Sequence, residues 1–405
     1  MDFSVLSPPL AEALAARGIR KPSPVQAAVI PLLLEKNPPA ADAVPLRLLF
    51  TAPTGTGKTF AYLLPLLQSL AESEDSGGRP RGPEVLVLAP THELCSQIKS
   101  ELDFVLRALD MPLSQLLIGS VSPGRQIEAL KKNKPRAAAG NPARVLQLVR
   151  MKKLSLGSLR FLVLDEGDRL VAEELYPETR ELVSLAGGSG IIACSATMNG
   201  KNRDALFGLE GEKRPWRIVE EDGLAVLQHN IEHWAFFAED RKKPDLLKSF
   251  LAAARPKKAL VFTSRGGEVG RIVSRLQYRR VAAGGIRGDM DKKARKAAID
   301  GFRKGTVPVL VASDLACRGL DVEGISHVIS LDTGDNAETY LHRAGRTGRA
   351  GRRGIMVTIG SEEELRRLQR IEKKLKIIVY PKELYGGRIT APLAGPEDEE
   401  PGKAD

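Results

Sequence analysis

The sequence predicts an α/β protein of two tandem domains, each a mostly parallel sheet flanked by helices. Three observations carry that expectation. A chain of 405 residues has ample length for more than one core. Short apolar runs at residues 85–89, 116–119, 161–164 and 191–194 alternate with helix-compatible stretches, the pattern of strands covered on both faces. A second alternating set follows at 231–237, 259–263, 307–312, 327–331 and 355–359, so the second half reads as a weak structural repeat of the first.

In chain order, Phe3, Leu6, Leu10 and Leu14 form an apolar stripe at helical spacing, and Gly18 ends it. A proline-stiffened turn through Pro22, Ser23 and Pro24 then presents Gln26. Its amide carries donor and acceptor on one group, which suits an adenine edge. Residues 37–45 read as a surface loop.

Apolar residues 46–50 next lead into Ala52-Pro53-Thr54-Gly55-Thr56-Gly57-Lys58-Thr59, and a helix-compatible run leads out. Strand, glycine-rich turn, Lys-Thr and helix make a phosphate-cradling loop, here in a variant of the general spacing. Gly55 and Gly57 let backbone N–H groups converge on an anion, and the helix N-terminus adds its positive end. Lys58 can reach the outer phosphates, and the Thr59 hydroxyl can sit on Mg²⁺. Residues 73–83 read as a polar excursion.

Asp165, Glu166 and Asp168 follow the run at 161–164. Ligand groups in open parallel sheets gather at such strand ends. Asp165 can hold Mg²⁺ through water, and Glu166 can orient and deprotonate an attacking water. Ser195 and Thr197, after the run at 191–194, place two hydroxyls beside these carboxylates. The pattern breaks at 220–223, which sets domains at 1–222 and 229–385, a linker at 223–228 and an acidic, disordered tail at 386–405.

One phosphate loop for two sheet domains implies a nucleotide site in the cleft between them. The second half supplies Arg343, Arg346 and Arg349, with Gly345 and Gly348 between them. An arginine delivered toward a γ-phosphate stabilises transition-state charge. Beyond residue 360, Leu365, Leu368, Ile371 and Leu375 form a helix stripe flanked by basic residues.

Composition narrows the partners. The net charge of +11 favours a polyanion. Aromatic residues make up only 5%, so stacking platforms are scarce, which points to backbone recognition with little sequence preference. No apolar stretch approaches the ~20 residues of a membrane helix. The N-terminal residues carry no apolar signal core, and Cys95, Cys194 and Cys317 are isolated thiols, so a cytoplasmic protein without disulfides or zinc is expected.

From about residue 3 to about residue 360, these motifs in this order resemble the DEAD-box ATP-dependent RNA helicases of superfamily 2. The resemblance implies two RecA-like domains, ATP and Mg²⁺ as cofactors, RNA as partner and a monomer. The implied activity is ATP hydrolysis coupled to local RNA duplex separation or RNP remodelling. Pro22 and Gln26 fall in its adenine-reading Q motif, with Phe3 near the place of an upstream aromatic. Residues 52–59 are its phosphate loop, and residues 165–168 its acidic tetrad, with Gly167 in place of Ala. Asp168, Ser195, Thr197 and His342 fall in its coupling motifs, Gly319 and Asp321 in ATP contacts, and Arg346 and Arg349 in the arginine-finger places. RNA contacts are implied for Pro90, Thr91, His92, Gly119 and Arg144 on the first domain. On the second they are implied for Thr263, Arg265, Gly288, Asp289, Arg295, Ser313 and Arg318.

Departures from the family pattern have consequences. Ile19 stands for an aromatic, which weakens adenine stacking. His92 exchanges a permanent cation for a group mostly neutral at pH 7. Asn141 and Ala143 also alter the first domain's RNA motifs, while Arg287 and Lys292 add charge on the second, so the RNA contact is expected to be redistributed between domains. Two other readings are an ATP-gated RNA clamp or chaperone with little unwinding, and a superfamily 2 DNA helicase.

Overall fold

The chain divides near residue 223 into two compact units, each built on one seven-stranded sheet. The computed structural model describes residues 2–35, 45–53, 55–73, 82–211, 215–220, 230–264, 267–288, 290–317, 322, 324–334, 336–348 and 352–392. The loop at 37–45, the excursion at 73–83 and the acidic tail lie largely outside these residues, and the linker at 223–228 lies wholly outside them.

The first sheet contains β1 (Arg47–Thr51), β2 (Val85–Leu88), β3 (Gln115–Leu117), β4 (Ala137–Gly140), β5 (Phe161–Asp165), β6 (Gly190–Ser195) and β7 (Arg217–Glu220), in the order β3-β4-β2-β5-β6-β1-β7. The second contains β8 (Ile231–Phe237), β9 (Ala259–Phe262), β10 (Ala283–Ile286), β11 (Val309–Ala312), β12 (His327–Ser330), β13 (Gly354–Gly360) and β14 (Val379–Pro381), in the order β10-β11-β9-β12-β13-β8-β14. Adding seven to each label of the first order yields the second. The repeat legible in the sequence is thus a repeat of topology.

Every neighbouring pair is parallel. All strand C-termini of a sheet therefore share one edge. Alternate residues serve opposite cores: Leu48 and Phe50 of β1 join one apolar cluster of the first unit, and Leu49 joins the other.

Two strands lack the β-branched signal. β4 is Ala-Ala-Ala-Gly, and a Cβ added at Gly140 would sit 2.6 Å from the Leu117 carbonyl oxygen. β10 is Ala-Gly-Gly-Ile, and a Cβ at Gly285 would meet Val269 and Val273 at 2.9 Å. Small residues are required where neighbouring elements press on the sheet. β7 lies just before the break at 220–223, as an edge strand beside β1.

The folded part also reaches past residue 386. β15 (Glu383–Tyr385) and β16 (Arg388–Thr390) form an antiparallel hairpin. Gly386 and Gly387 at its turn have φ of 56° and 75°, and Leu384 and Ile389 pack on the second unit's core. The expected terminal helix is present as Glu362–Leu375, with Leu368, Ile371 and Leu375 buried.

Candidate functional site

The C-terminal edge of the first sheet divides by strand order. β5, β6 and β1 are adjacent and carry the acidic tetrad, Ser195–Thr197 and the phosphate loop; β3, β4 and β2 carry the loops with Gly119, Asn141–Arg144 and Pro90–His92.

At the end of β1 the chain curls through Gly55 and Gly57, with φ of 81° and 85°, into the helix Lys58–Glu72. Both values lie in the left-handed region open to glycine. The loop is internally bonded. Thr56 Oγ1 donates to the Pro53 carbonyl at 2.8 Å, and Lys58 Nζ donates to the carbonyls of Ala52 and Pro53 at 2.6 and 2.8 Å. Burial lowers the Lys58 pKa, while the carboxylates of Asp165, Glu166 and Asp168 oppose that shift.

Gln26 is buried against this loop. Its Nε2 donates to the Gly57 carbonyl at 3.1 Å, and its Oε1 accepts from the Ser23 N–H at 3.0 Å. A Cβ at Gly57 would stand 2.3 Å from that Nε2, so glycine is required there twice over. The amide therefore braces the phosphate loop, leaving one N–H outside this pair of bonds. Phe3 is buried in the first unit's core, and Pro22 and Thr59 are half-buried.

Asp165 is 4% exposed and held from three sides. Tyr62 Oη donates to its Oδ2 at 2.7 Å, while the Glu166 N–H and Cys194 Sγ donate to its Oδ1 at 2.9 and 3.3 Å. Burial pushes the pKa of Tyr62 well up, with the Asp165 charge adding to it, so Tyr62 stays a donor. Tyr62 stands one turn after Lys58, within the apolar run from Phe60 to Leu67, and a hydroxyl inside that run was its sequence signal. Replacing Tyr62 with Phe is expected to lower ATPase kcat/KM about tenfold and raise the Mg²⁺ requirement, with RNA affinity unchanged. An ATPase titration over Mg²⁺ checks this, and wild-type behaviour would remove the positioning role.

Glu166 has φ 52° and ψ 51°, a left-handed conformation costing a non-glycine residue about 1 kcal/mol. Such strain concentrates at functional positions. Asp168 accepts from Ser195 Oγ at 2.6 Å, Ser195 Oγ accepts from the Thr197 N–H at 3.3 Å, and the Ser195 carbonyl accepts from the Ala52 N–H at 3.1 Å. Phosphate loop, Ser195 and tetrad are thus one bonded unit. Thr197 Oγ1 is buried without a partner among the described residues.

Gly167 is the tetrad's departure, and space exists for the missing methyl. A Cβ there would meet Ala193 Cβ and the Cys194 carbonyl oxygen at 3.6 Å and Met198 Cε at 3.7 Å, all ordinary contacts. Gly167→Ala is expected to stabilise by about 0.5 kcal/mol and leave kcat within about twofold. Urea unfolding beside an ATPase assay checks it.

Lys58, Thr59, the two left-handed glycines and the acidic tetrad fit a magnesium–nucleotide. Among the described residues no group of three or more His, Cys, Asp or Glu is placed to hold a metal.

On the other half of the edge, Thr91 Oγ1 caps the helix His92–Ala108 by accepting from the Leu94 N–H at 3.2 Å, and Pro90 precedes it half-buried. The His92 ring lies beside Gly119, where a Cβ would stand 3.4 Å from Nε2. Arg144, for which an RNA contact was expected, has its guanidinium turned toward the neighbouring loop. It is 8% exposed, and Nη1 donates to the Val121 carbonyl at 2.5 Å and to Gln126 Oε1 at 2.9 Å, while Nη2 reaches the Gly119 carbonyl at 3.2 Å. Gln126, which the sequence reading missed, adds a bond from Nε2 to the Ile118 carbonyl at 2.9 Å. An amide in the first turn of the proline-started helix Pro123–Asn133 was its signal. The pair holds the loop that carries Gly119.

In the second unit, the C-terminal ends of β10, β11 and β9 lead to Gly288, Ser313 and Thr263. These strands hold the same places in their sheet as β3, β4 and β2. Gly288 is exposed, while Thr263 and Ser313 are buried. Arg295 Nη2 donates to the Ala316 carbonyl at 2.8 Å, behind Ser313.

His342 closes the helix Ala337–Ala344, and Arg346 follows it half-buried. Arg343 faces inward instead and is 1% exposed, bonded to Asp314 and Asp332. Gly348, with φ 67°, approaches β8 rather than a ligand: a Cβ would stand 2.6 Å from Ile231 Cγ1. Thr54, Arg265, Asp289, Arg318, Gly319, Asp321 and Arg349 lie outside the described residues, as does the side chain of Lys292. Among the described residues no helix is long and apolar enough to cross a membrane.

Residues 23–206 match the DEAD/DEAH box helicase family, and residues 242–351 match the helicase conserved C-terminal domain. The chain is 32% identical to the DEAD-box ATP-dependent RNA helicase CshC of Bacillus cereus, over 98% of this chain and 97% of that protein. It is 31% identical to the probable ATP-dependent RNA helicase YfmL of Bacillus subtilis, over 92% and 94%. In fold it resembles the DEAD-box helicase Mss116 bound to ssRNA and UDP-BeF, with a TM-score of 0.80 at 20% identity over 95% of this chain and 79% of that one. It likewise resembles S. cerevisiae Dbp5 bound to RNA and ADP BeF3, with a TM-score of 0.77 at 23% identity over 93% and 94%. With two RecA-like units and family matches in chain order, this chain belongs to the DEAD-box ATP-dependent RNA helicases.

Proposed function

We propose that the chain couples ATP hydrolysis to local RNA duplex separation or RNP remodelling with little sequence preference. The observation that carries this reading is the bonded unit of phosphate loop, Ser195 and Asp168, on strands adjacent to those with the RNA-assigned loops. A change at the phosphates has a short covalent and hydrogen-bonded route to Asp168.

In this reading Lys58 takes the outer phosphates of ATP, and Gln26 fixes the loop that receives them. Asp165, oriented by Tyr62, and Thr59 are the residues that would hold Mg²⁺. Mg²⁺ supplies neutralisation of phosphate charge when it is bound with ATP. Glu166 orients and deprotonates the attacking water, and Arg346 and Arg349 stabilise charge developing on the γ-phosphate. Thr197 and His342 belong to the coupling route. RNA is held by its backbone, through Pro90, Thr91, His92 and Gly119 of the first unit and Thr263, Arg265, Gly288, Asp289, Arg295, Ser313 and Arg318 of the second. By linkage each ligand raises the affinity for the other. The protein acts as a monomer in the cytoplasm.

RNA-stimulated ATPase measured beside release of a short RNA duplex tests this. Both activities together support the reading; ATPase without stimulation by RNA would overturn it. A second reading, an ATP-gated RNA clamp with little unwinding, is favoured by the inward Arg144, which removes a cation from the first unit's RNA-assigned loops. Stimulated ATPase without duplex release would select it.

A further inference from the structure

The second unit's sheet has a cationic edge that the assigned chemistry leaves unused. Because β10, β11 and β9 are neighbours and parallel, the segments that enter them lie side by side, at the edge opposite Gly288, Ser313 and Thr263. Four-residue strands separate the two edges by about 13 Å. The adjacency is direct: Lys258 Nζ donates to the Arg303 carbonyl at 2.8 Å, and the Ala259 N–H donates to the Pro308 carbonyl at 2.8 Å.

These entering segments carry Arg255 and Lys257 before β9, Arg279 and Arg280 before β10, and Arg303 and Lys304 before β11, all exposed. Helix C-termini attract cations, and Arg255, Arg279 and Lys304 stand at such ends. That accounts for one cation per helix. Lys257 and Arg280 lie beyond the caps and have no such reason to be basic.

Pairing varies over the second unit: Arg271 meets Glu268 at 3.1 Å, Arg275 meets Asp245 at 2.7 Å and Arg366 meets Glu362 at 2.5 Å, while exposed Arg352, Arg353, Arg370 and Arg388 have no carboxylate partner among the described residues. What sets this edge apart is that its cations are gathered on the entries to three neighbouring strands. Among the described residues, Arg255, Lys257, Arg279, Arg280 and Lys304 have no carboxylate partner. Beside them Tyr278 is 83% exposed, with the Arg279 guanidinium 5.8 Å from its ring centre. Unpaired cations interleaved with an exposed ring are the elements that hold single-stranded nucleic acid.

We propose that this edge is a second RNA-binding surface, which holds the phosphate backbone of single-stranded RNA flanking the segment under remodelling, with Tyr278 stacking on one base. Three strands and the reach of their side chains span about 20 Å, room for about three phosphates. The proposal rests on RNA being the substrate. It gives the protein a hold on RNA that does not depend on nucleotide state.

The test uses the full chain with Lys257, Arg279 and Arg280 all changed to Ser, and single-stranded RNAs of about eight and about thirty nucleotides. Affinity is read by fluorescence anisotropy across a salt series. For the long RNA, affinity is expected to fall about tenfold and the slope of log K against log salt to drop by about 2. For the short RNA, affinity and stimulated ATPase are expected to stay at wild-type values. Tyr278→Ala should weaken the long RNA alone, by about fivefold.

Unchanged long-RNA affinity and slope would overturn the proposal. Equal losses for both RNAs would also overturn it, because the damage would then extend beyond this edge. So would intact RNA binding with loss of binding to polyglutamate, which would assign the edge to an acidic protein partner. If the wild type binds neither RNA, the helicase reading fails, and this outcome is separate from the variant's.

Discussion

Changing Glu166 to Gln is expected to cut ATP turnover roughly a thousandfold while ATP and RNA remain bound. The amide keeps the length and shape of the side chain but takes up no proton at neutral pH. The bonds that hold its acidic neighbours do not use the Glu166 carboxylate: Asp165 is held by Tyr62, Cys194 and the Glu166 backbone N–H, and Asp168 by Ser195. Gln also accepts the left-handed backbone at the same modest cost as Glu. Loss of kcat without loss of binding is therefore the signature. Steady-state ATPase with equilibrium binding of a non-hydrolysable analogue checks it, and kcat near wild type would remove Glu166 from the role of base.

The second large effect is structural. Arg343→Met is expected to destabilise the second unit by about 3–5 kcal/mol, seen as an earlier transition in urea for that unit. The guanidinium bonds Asp314 Oδ1 and Oδ2 at 2.7 and 2.6 Å, Asp332 Oδ1 at 2.9 Å, the Asp332 carbonyl at 3.1 Å and Ser330 Oγ at 3.1 Å. Its carbon lies 5.4 Å from the centre of the Phe262 ring. Methionine fills similar volume but leaves Asp332 half-buried and charged without its cation. A shift under about 1 kcal/mol would show that water replaces the arginine.

The pH dependence has a definite sign. Burial raises the Asp332 pKa, but Arg343 and the Ser264 N–H outweigh it and hold the carboxyl below its ordinary value. A depressed carboxyl contributes stability above its unfolded pKa of about 4, which is lost as pH falls through the folded value. The gap between wild type and Arg343→Met should hold from pH 5 to 8, narrowing only below about pH 4.

Residues whose type carries the chemistry were legible before the structure. Gly55, Gly57, Lys58 and the carboxylates of 165–168 announce a phosphate site by kind and spacing, and the structure adds how they are bonded. Side-chain direction was not legible. Arg144 and Arg343 read as cations for a ligand, yet both turn inward to bind carbonyls or carboxylates, because nothing in spacing along a chain tells which face of a helix meets the sheet. β4 and β10 escaped because packing there selects for the absence of side chains. Tyr62 escaped because a hydroxyl within an apolar run looks like core until its partner across the sheet is known.

The bonds from Lys58 to the Ala52 and Pro53 carbonyls bear on how a nucleotide comes and goes. Phosphate oxygens that take Lys58 do so by exchange, giving it two new acceptors for two old ones. The loop's own backbone is thus a permanent rival for that ammonium, present at a fixed and high effective concentration. It trims nucleotide affinity. In return, the same carbonyls stand ready to take the charge again when product leaves, so the half-buried ammonium keeps acceptors. A site built this way favours turnover over grip.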